Sequence, residues 1–377
     1  SSDIATLDQE SHNVAARYRY DPSKQFSIGG VMTLKTADEY HNYVYSTDLK
    51  YQPTQQDTFT AQYAYSQTLY PNDLFNQFCN GDDCAIPPTE CDLSSCDYNE
   101  RVLRTNKSDT FSDNMFKLTY MHDRRSWFAN TQYESIGDDF RADLGFIEKI
   151  DATKFVAGGG YRWYPIGHFF SKITVAGDWD ITHTQQDEKL EQESEVYIEL
   201  EGGYQSYIAG GIAQRQRVGR RHNPSNINIR NNTQMFDETI GWFYTHFVPT
   251  KSLQLELDVN YGDNIDFVND RLGTITMLNP GIEWKATESI VLNFSHRYQT
   301  LDVDNGRLFT ANLSDLRLNW QISLNSFIRL SSVYTDIERD PNLYIYQQPK
   351  AKYQDLGNEV LYGYKLKPQS VFYLGYS

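Results

Sequence analysis

The charged residues of this chain fall on alternate positions. Asp178 and Asp180 are out of phase with Val175, Trp179 and Ile181, and Glu193, Glu195, Glu199 and Glu201 with Val196, Ile198 and Leu200. Arg297 and Arg317 hold equivalent positions in later segments, as do Arg17, Arg19, Lys50, Lys117 and Lys365 in others. The chemistry open to such rows is electrostatic: charges lining a wide aqueous passage bias which solutes cross it. The same rows arise if the charges only pair with one another and solvate a wall. Both readings stay open at this point.

Catalytic constellations are weak. The chain has 8 histidines but no H-E-x-x-H, no G-x-S-x-G and no phosphate-cradling glycine loop. Gly158-Gly159-Gly160 lies inside an alternating segment, where glycine serves bending or close approach. His183 and Asp180 could be drawn as a hydrolase dyad, but a histidine at a strand end beside a carboxylate is more often a simple polar pair. No enzyme, metal or cofactor is therefore expected.

All 4 cysteines, Cys79, Cys84, Cys91 and Cys96, sit in the longest connection, 70–111. An even count confined to one external loop of an exported protein reads as two disulfides, with three pairings open. A structural zinc site is the rival, and its thiolates would have to stay reduced in an oxidising compartment. Asp302-Val303-Asp304-Asn305-Gly306 resembles the start of a calcium loop but lacks the downstream glutamate, so a tight Asn-Gly turn is expected. Asp82, Asp83, Asp263, Asp266 and Asp270 suit either divalent cations bridging lipopolysaccharide phosphates or plain solubilising charge. Arg215, Arg217, Arg220, Arg221 and His222 suit either an anionic sugar or lipid phosphate, or neutralisation of Glu188, Glu191 and Glu193.

The elements that must position these residues are strands. Leu253, Leu255, Leu257, Val259 and Tyr261 alternate with Gln254, Glu256, Asp258 and Asn260, and Leu316, Leu318, Trp320, Ile322 and Leu324 alternate with Arg317, Asn319, Gln321 and Ser323. That is period two, and no segment sustains a helical spacing. About eighteen such runs follow one another from residue 12 to 377. Most are longer than soluble strands, which average about 5–6 residues, and match the ~9–11 needed for a tilted membrane-spanning strand. Short connections alternate with longer ones at 70–111, 137–149, 184–189, 218–233, 263–271, 301–307 and 337–354, the pattern of periplasmic turns and extracellular loops. Eleven of the 12 prolines fall in connections, and Pro280, inside a strand, is expected to mark a bulge.

Composition fits. Apolar residues are 39%, aromatics 14% and the net charge −16, which excludes a disordered chain and argues against a nucleic-acid partner. No window approaches ~18 consecutive apolar residues, so a helical membrane protein is excluded. A barrel sorts opposite side chains onto lipid and water, so a negative mean hydropathy of −0.63 is compatible with a membrane. The expectation is an all-β, transmembrane antiparallel up-and-down barrel of about 18 strands. It forms one domain over 1–377, incomplete at both ends, in a bacterial outer membrane.

Gly137-Asp138-Asp139-Phe140-Arg141-Ala142-Asp143-Leu144-Gly145-Phe146 resembles a signature of a poorly characterised family of bacterial outer-membrane barrel proteins. Leu278-Asn279-Pro280-Gly281 and the stretch Asp302 to Leu318 look like later parts of the same barrel. The resemblance covers roughly 135–377. It implies a barrel that usually follows an N-terminal carbohydrate-binding, family-nine-like domain, absent from this sequence. The loop bearing Asp138, Asp139, Phe140, Arg141 and Phe146 is expected to fold inward as a constriction. The first functional expectation is a channel or transporter for small polar solutes or oligosaccharides. The second is a closed surface scaffold or receptor binding a surface or periplasmic protein through its loops. Outer-membrane lipid and lipopolysaccharide are the expected surroundings.

Overall fold

A computed structural model describes residues 10–71, 110–147, 149–219, 234–345, 348–367 and 370–377. It contains eighteen strands: β1 (His12–Ser23), β2 (Phe26–Ala37), β3 (Tyr40–Tyr51), β4 (Asp57–Leu69), β5 (Phe111–Asp123), β6 (Trp127–Ile136), β7 (Ala152–Trp163), β8 (Phe170–His183), β9 (Lys189–Gly202), β10 (Tyr207–Val218), β11 (Met235–Thr250), β12 (Leu253–Asp266), β13 (Arg271–Lys285), β14 (Ile290–Val303), β15 (Gly306–Gln321), β16 (Ser326–Arg339), β17 (Lys352–Lys367) and β18 (Ser370–Tyr376). All belong to one antiparallel up-and-down sheet of the transmembrane-barrel class. Its order follows the chain from β2 to β9 and from β10 to β18, and β1 also pairs with β2 and β9 with β10.

Strand length fits a bilayer. The shortest strand before β18 has 10 residues. At ~3.3 Å per residue and a tilt of ~40°, that spans about 25 Å, the height of an outer-membrane apolar band.

Register explains the two faces. Tyr45 pairs with Met32 and with Tyr65, Leu49 with Ile28 and with Ala61, and Tyr51 with Phe26 and with Phe59, so apolar side chains stack across β2, β3 and β4 on one face. Tyr45, Leu49, Tyr51, Phe59, Tyr63, Phe116 and Leu118 are exposed there, a continuous apolar surface that water would not tolerate. The opposite face of the same strands carries Asn42, Ser46, Asp48, Gln62, Ser66 and Lys117. We call it the inner face.

Two details differ from the sequence expectations. Pro280 produces no bulge: it pairs with Leu257 in unbroken register, and β13 resumes with β14 at Gly281 after skipping two positions. Register shifts do accompany proline at Asp21-Pro22 and Val248-Pro249, where proline at a strand end removes the donor, and two more lie at Leu301/Asp302 and Lys365/Lys367. The long–short order of connections is also looser. The strands run further than their apolar alternation suggests, leaving only Asp304-Asn305 between β14 and β15 and residues 267–270 between β12 and β13. The expected tight turn is therefore present at 304–305, closed by a bidentate Arg307–Asp302 pair at 2.8 and 3.1 Å.

The chain divides into two units. The first comprises 1–161, 177–194 and 215–235, the second 162–176, 195–214 and 236–377. The first unit's larger apolar cluster is Val44, Ala64, Ile136 and Phe140, and the second unit's is Ile275, Leu301, Val303 and Leu308. Both clusters sit on the inner face near one strand end, covered by a connection folded back over the sheet.

Candidate functional site

In the first unit the connection between β6 and β7 folds onto the inner face of β3 to β7. Its turn begins at Gly137, where an added Cβ would lie 1.9 Å from the Asp113 carboxylate and would push that side chain aside. The Asp139 amide donates to Asp113 Oδ2 at 3.1 Å. Three small polar side chains of β3 and β4, all 0% exposed, receive the next turn. Asn42 Nδ2 donates to Thr68 Oγ1 at 2.8 Å and to the Arg141 carbonyl at 3.2 Å. The Asp143 amide donates to Asn42 Oδ1 at 2.9 Å, and the Arg141 amide to Ser66 Oγ at 3.0 Å. Burial without partners would cost about 1–3 kcal/mol per group, so these bonds are what allow the loop to lie here.

Tyrosines complete the latch. Tyr40 and Tyr70 stack at 5.9 Å and both hydroxyls donate to the Asp143 carboxylate, at 2.5 and 3.0 Å. Burial, reinforced by that carboxylate, pushes the Tyr70 hydroxyl well above the ordinary phenol range. On the other side Gln185, in the β8–β9 connection, donates to the Ile136 carbonyl at 3.0 Å and receives its own fixed position from Asp151.

The five expected constriction residues thus separate. Phe140 is 1% exposed and anchors the loop in the apolar cluster. Arg141 donates to the carbonyls of Asp138 and Phe140 and lies over the Phe111 ring, so its charge closes the turn. Asp138 is exposed and Asp139 half-buried at the turn. Phe146 is 91% exposed and is the aromatic side chain that the loop presents outward.

Loop and wall enclose a cavity of about 710 Å³. Val44, Ala64, Met115, Ile136 and Phe140 form its apolar side, and Glu134, Lys149, Lys154 and Glu191 its charged side. Each of these charges has a partner: Lys117–Glu134 at 2.7 Å, Lys149–Glu191 at 3.2 Å and Lys154–Asp180 at 3.4 Å.

Asp178, Asp180 and Glu193, three of the expected lining residues, converge on the same face, with carboxylate oxygens all within 4.8 Å. Gly158 on β7 makes room: a Cβ there would lie 2.9 Å from that of Asp178. Lys154 and Arg215 reach this cluster, Arg215 at 3.8 Å from Glu193, which fits the neutralising role expected of that arginine. His183 lies three residues from Asp180 along β8, hence on the other face, and the two form no dyad.

In the second unit Glu195 accepts from the Trp242 indole N–H, Glu199 from the Tyr207 hydroxyl at 2.9 Å, and Glu201 pairs with Lys172 at 2.7 Å. Arg317 makes a bidentate pair with Asp315 at 3.1 and 2.8 Å. With Glu256, Glu283 and Asn293 these two line a polar depression of about 450 Å³ on β12 to β15. Arg297 is exposed on β14 beside Leu313 and stands outside that depression. Asp266, weighed as a cation ligand, is buried and accepts from Asn269 and Arg271, which tie down the connection after β16 through the Ile345 amide and the Leu343 carbonyl.

Cys79, Cys84, Cys91 and Cys96 lie outside the described residues, as do Asp82, Asp83, Arg220, Arg221 and His222 and most of connection 70–111. The latch residues Asn42, Ser66 and Thr68 escaped the sequence reading, and Asp143 entered it only as part of the Gly137–Phe146 signature. The available signal was a change from charged to small polar residues at one end of the inner-face alternation.

No family model matches the chain, and no curated protein matches its sequence. Solved structures do. The FrpB iron transporter from Neisseria meningitidis is similar over 96% of this chain and 65% of that one, at 8% identity and a TM-score of 0.52 (F3-3 variant). Its F5-1 variant is similar over 94% and 66%, at 9% identity and 0.51. The siderophore receptor PirA from Acinetobacter baumannii is similar over 97% and 73%, at 10% identity and 0.49. The chain thus spans about two thirds of the iron transporter's length and shares its outer-membrane barrel fold.

Proposed function

We propose that this chain forms the wall of an outer-membrane barrel that transports small polar solutes. The observation that carries the reading is the separation of the two faces: an exposed apolar surface outside, and rows of paired and unpaired polar groups inside. Lipid accepts the first, and only water accepts the second. The fold shared with an iron transporter agrees with this. Oligosaccharides are the solute class favoured by the resemblance of 135–377 to barrels that carry a carbohydrate-binding domain. The long connections, including 70–111 with its two expected disulfides, are placed outside the cell and the short turns in the periplasm. Lipopolysaccharide surrounds the wall, and no catalytic step is assigned to it.

A second reading, a closed receptor or scaffold binding a protein partner through its loops, draws on the two connections folded over the inner face. Conductance across a planar bilayer separates the two. Stepwise, salt-dependent conductance supports the pore, and a folded, inserted protein without conductance overturns it in favour of the receptor.

A further inference from the structure

Resting on the reading that the inner face meets water, we propose that the cavity under loop 137–151 binds a small, net-neutral amphipathic solute. Its ligand would carry an apolar ring or chain at one end and hydroxyl or amide groups at the other. Three observations lead there. The volume, about 710 Å³, lies within the ~300–1,000 Å³ of organic-ligand pockets. The lining is two-sided, apolar along Val44, Ala64, Met115 and Phe140 and ionic along Glu134, Lys149, Lys154 and Glu191, so a matching ligand must be two-sided too. Finally, the ionic side contains two acids and two bases, all already in pairs at 2.7–3.4 Å.

That last point selects against ions. A charged ligand would have to give up its hydration to a lining whose charges already cancel, with no net opposite charge to compensate it, which is costly in a partly desolvated site. A neutral ligand need not. A paired carboxylate keeps free lone pairs and a paired ammonium keeps free N–H donors, and hydroxyl or amide groups can use both. Phe146, almost fully exposed at the cavity's edge, adds an aromatic face against which an apolar ring can lie.

The test uses the whole chain in a non-glycosidic detergent and two fluorescent probes that share one ring, 4-methylumbelliferyl β-glucoside and 4-methylumbelliferyl phosphate, read by anisotropy. Saturable binding of the glucoside is expected, with the phosphate at least tenfold weaker. Phe146→Ala, which removes an exposed side chain and leaves the fold intact, and Thr33→Trp, which fills the cavity from β2, should each weaken the glucoside at least tenfold. No saturable glucoside binding, equal binding of the phosphate, or affinity unchanged in Phe146→Ala would overturn the proposal. Bilayer conductance of the same preparation is read in parallel: conductance without glucoside binding removes this site and leaves the transport reading standing.

Discussion

The hold of loop 137–151 on the wall can be tested by a single substitution on the wall side. Asn42→Ala removes one bond to Thr68 and two to the loop, the latter from Asn42 Nδ2 to the Arg141 carbonyl and from the Asp143 amide to Asn42 Oδ1. Each bond contributes about 1 kcal/mol net, and leaving the buried Asp143 amide or Arg141 carbonyl unpaired costs about 1–3 kcal/mol. Water entering the space left by the side chain recovers part of this, so about 2–4 kcal/mol is the expected loss in the free energy of loop opening. At 1.4 kcal/mol per factor of ten, that is roughly a 30- to 700-fold rise in opening. Amide hydrogen exchange of 139–145, measured by mass spectrometry, should accelerate by that factor, while the β3–β4 ladder keeps its protection because its backbone bonds are untouched. Less than threefold acceleration at 139–145 would refute the latch. Equal acceleration throughout β3 and β4 would show that Asn42 stabilises the wall instead.

Phe140→Ala should detach the same loop from its apolar side at about 3–5 kcal/mol, the usual cost of deleting a buried ring, and should raise single-channel conductance; unchanged conductance with a released loop would show that the loop does not obstruct the passage. Leu278→Lys, at the centre of β13 on the apolar face, should cost about 2–4 kcal/mol of stability in lipid, whereas Ser295→Lys on the inner face of β14 should cost little. Equal costs in urea titrations from bilayers would mean the faces are wrongly assigned. Tyr70 has its proton held more tightly folded than unfolded, so its contribution to stability is complete below the free phenol value of ~10 and declines as pH rises above it. A 295 nm titration of the protein against Tyr70→Phe should show no phenol lost near pH 10, and one ionising there would contradict the buried latch.

The eighteen strands and their two faces were legible because both are local properties. Side chains of a strand point alternately to opposite sides, so Leu253 to Tyr261 on one side and Gln254 to Asn260 on the other announce a two-faced wall without knowledge of any partner strand. Strand ends were less legible where the alternation lapses. Ile265-Asp266 and Leu301-Asp302-Val303 extend the ladder past the last regular apolar position because a tight turn, set by backbone pairing, needs them there. The acidic rows of β8 and β9 were legible as rows, but their pairing was not: Lys154 meets Asp180 only because β7 and β8 lie side by side.

From the amino-acid order alone, then, come the wall, its span and its sorting of oil-facing from water-facing groups, since these depend on spacing within ten or so residues. Tertiary structure decided the fate of the connections. Phe140 and Phe146 are six residues apart in one aperiodic loop, yet the first is sealed and the second bare, because Val44 and Ala64, some 75 to 95 positions earlier in the chain, form a surface for only one of them. Such contacts follow from strand register brought to one end of the sheet, and no local pattern encodes them.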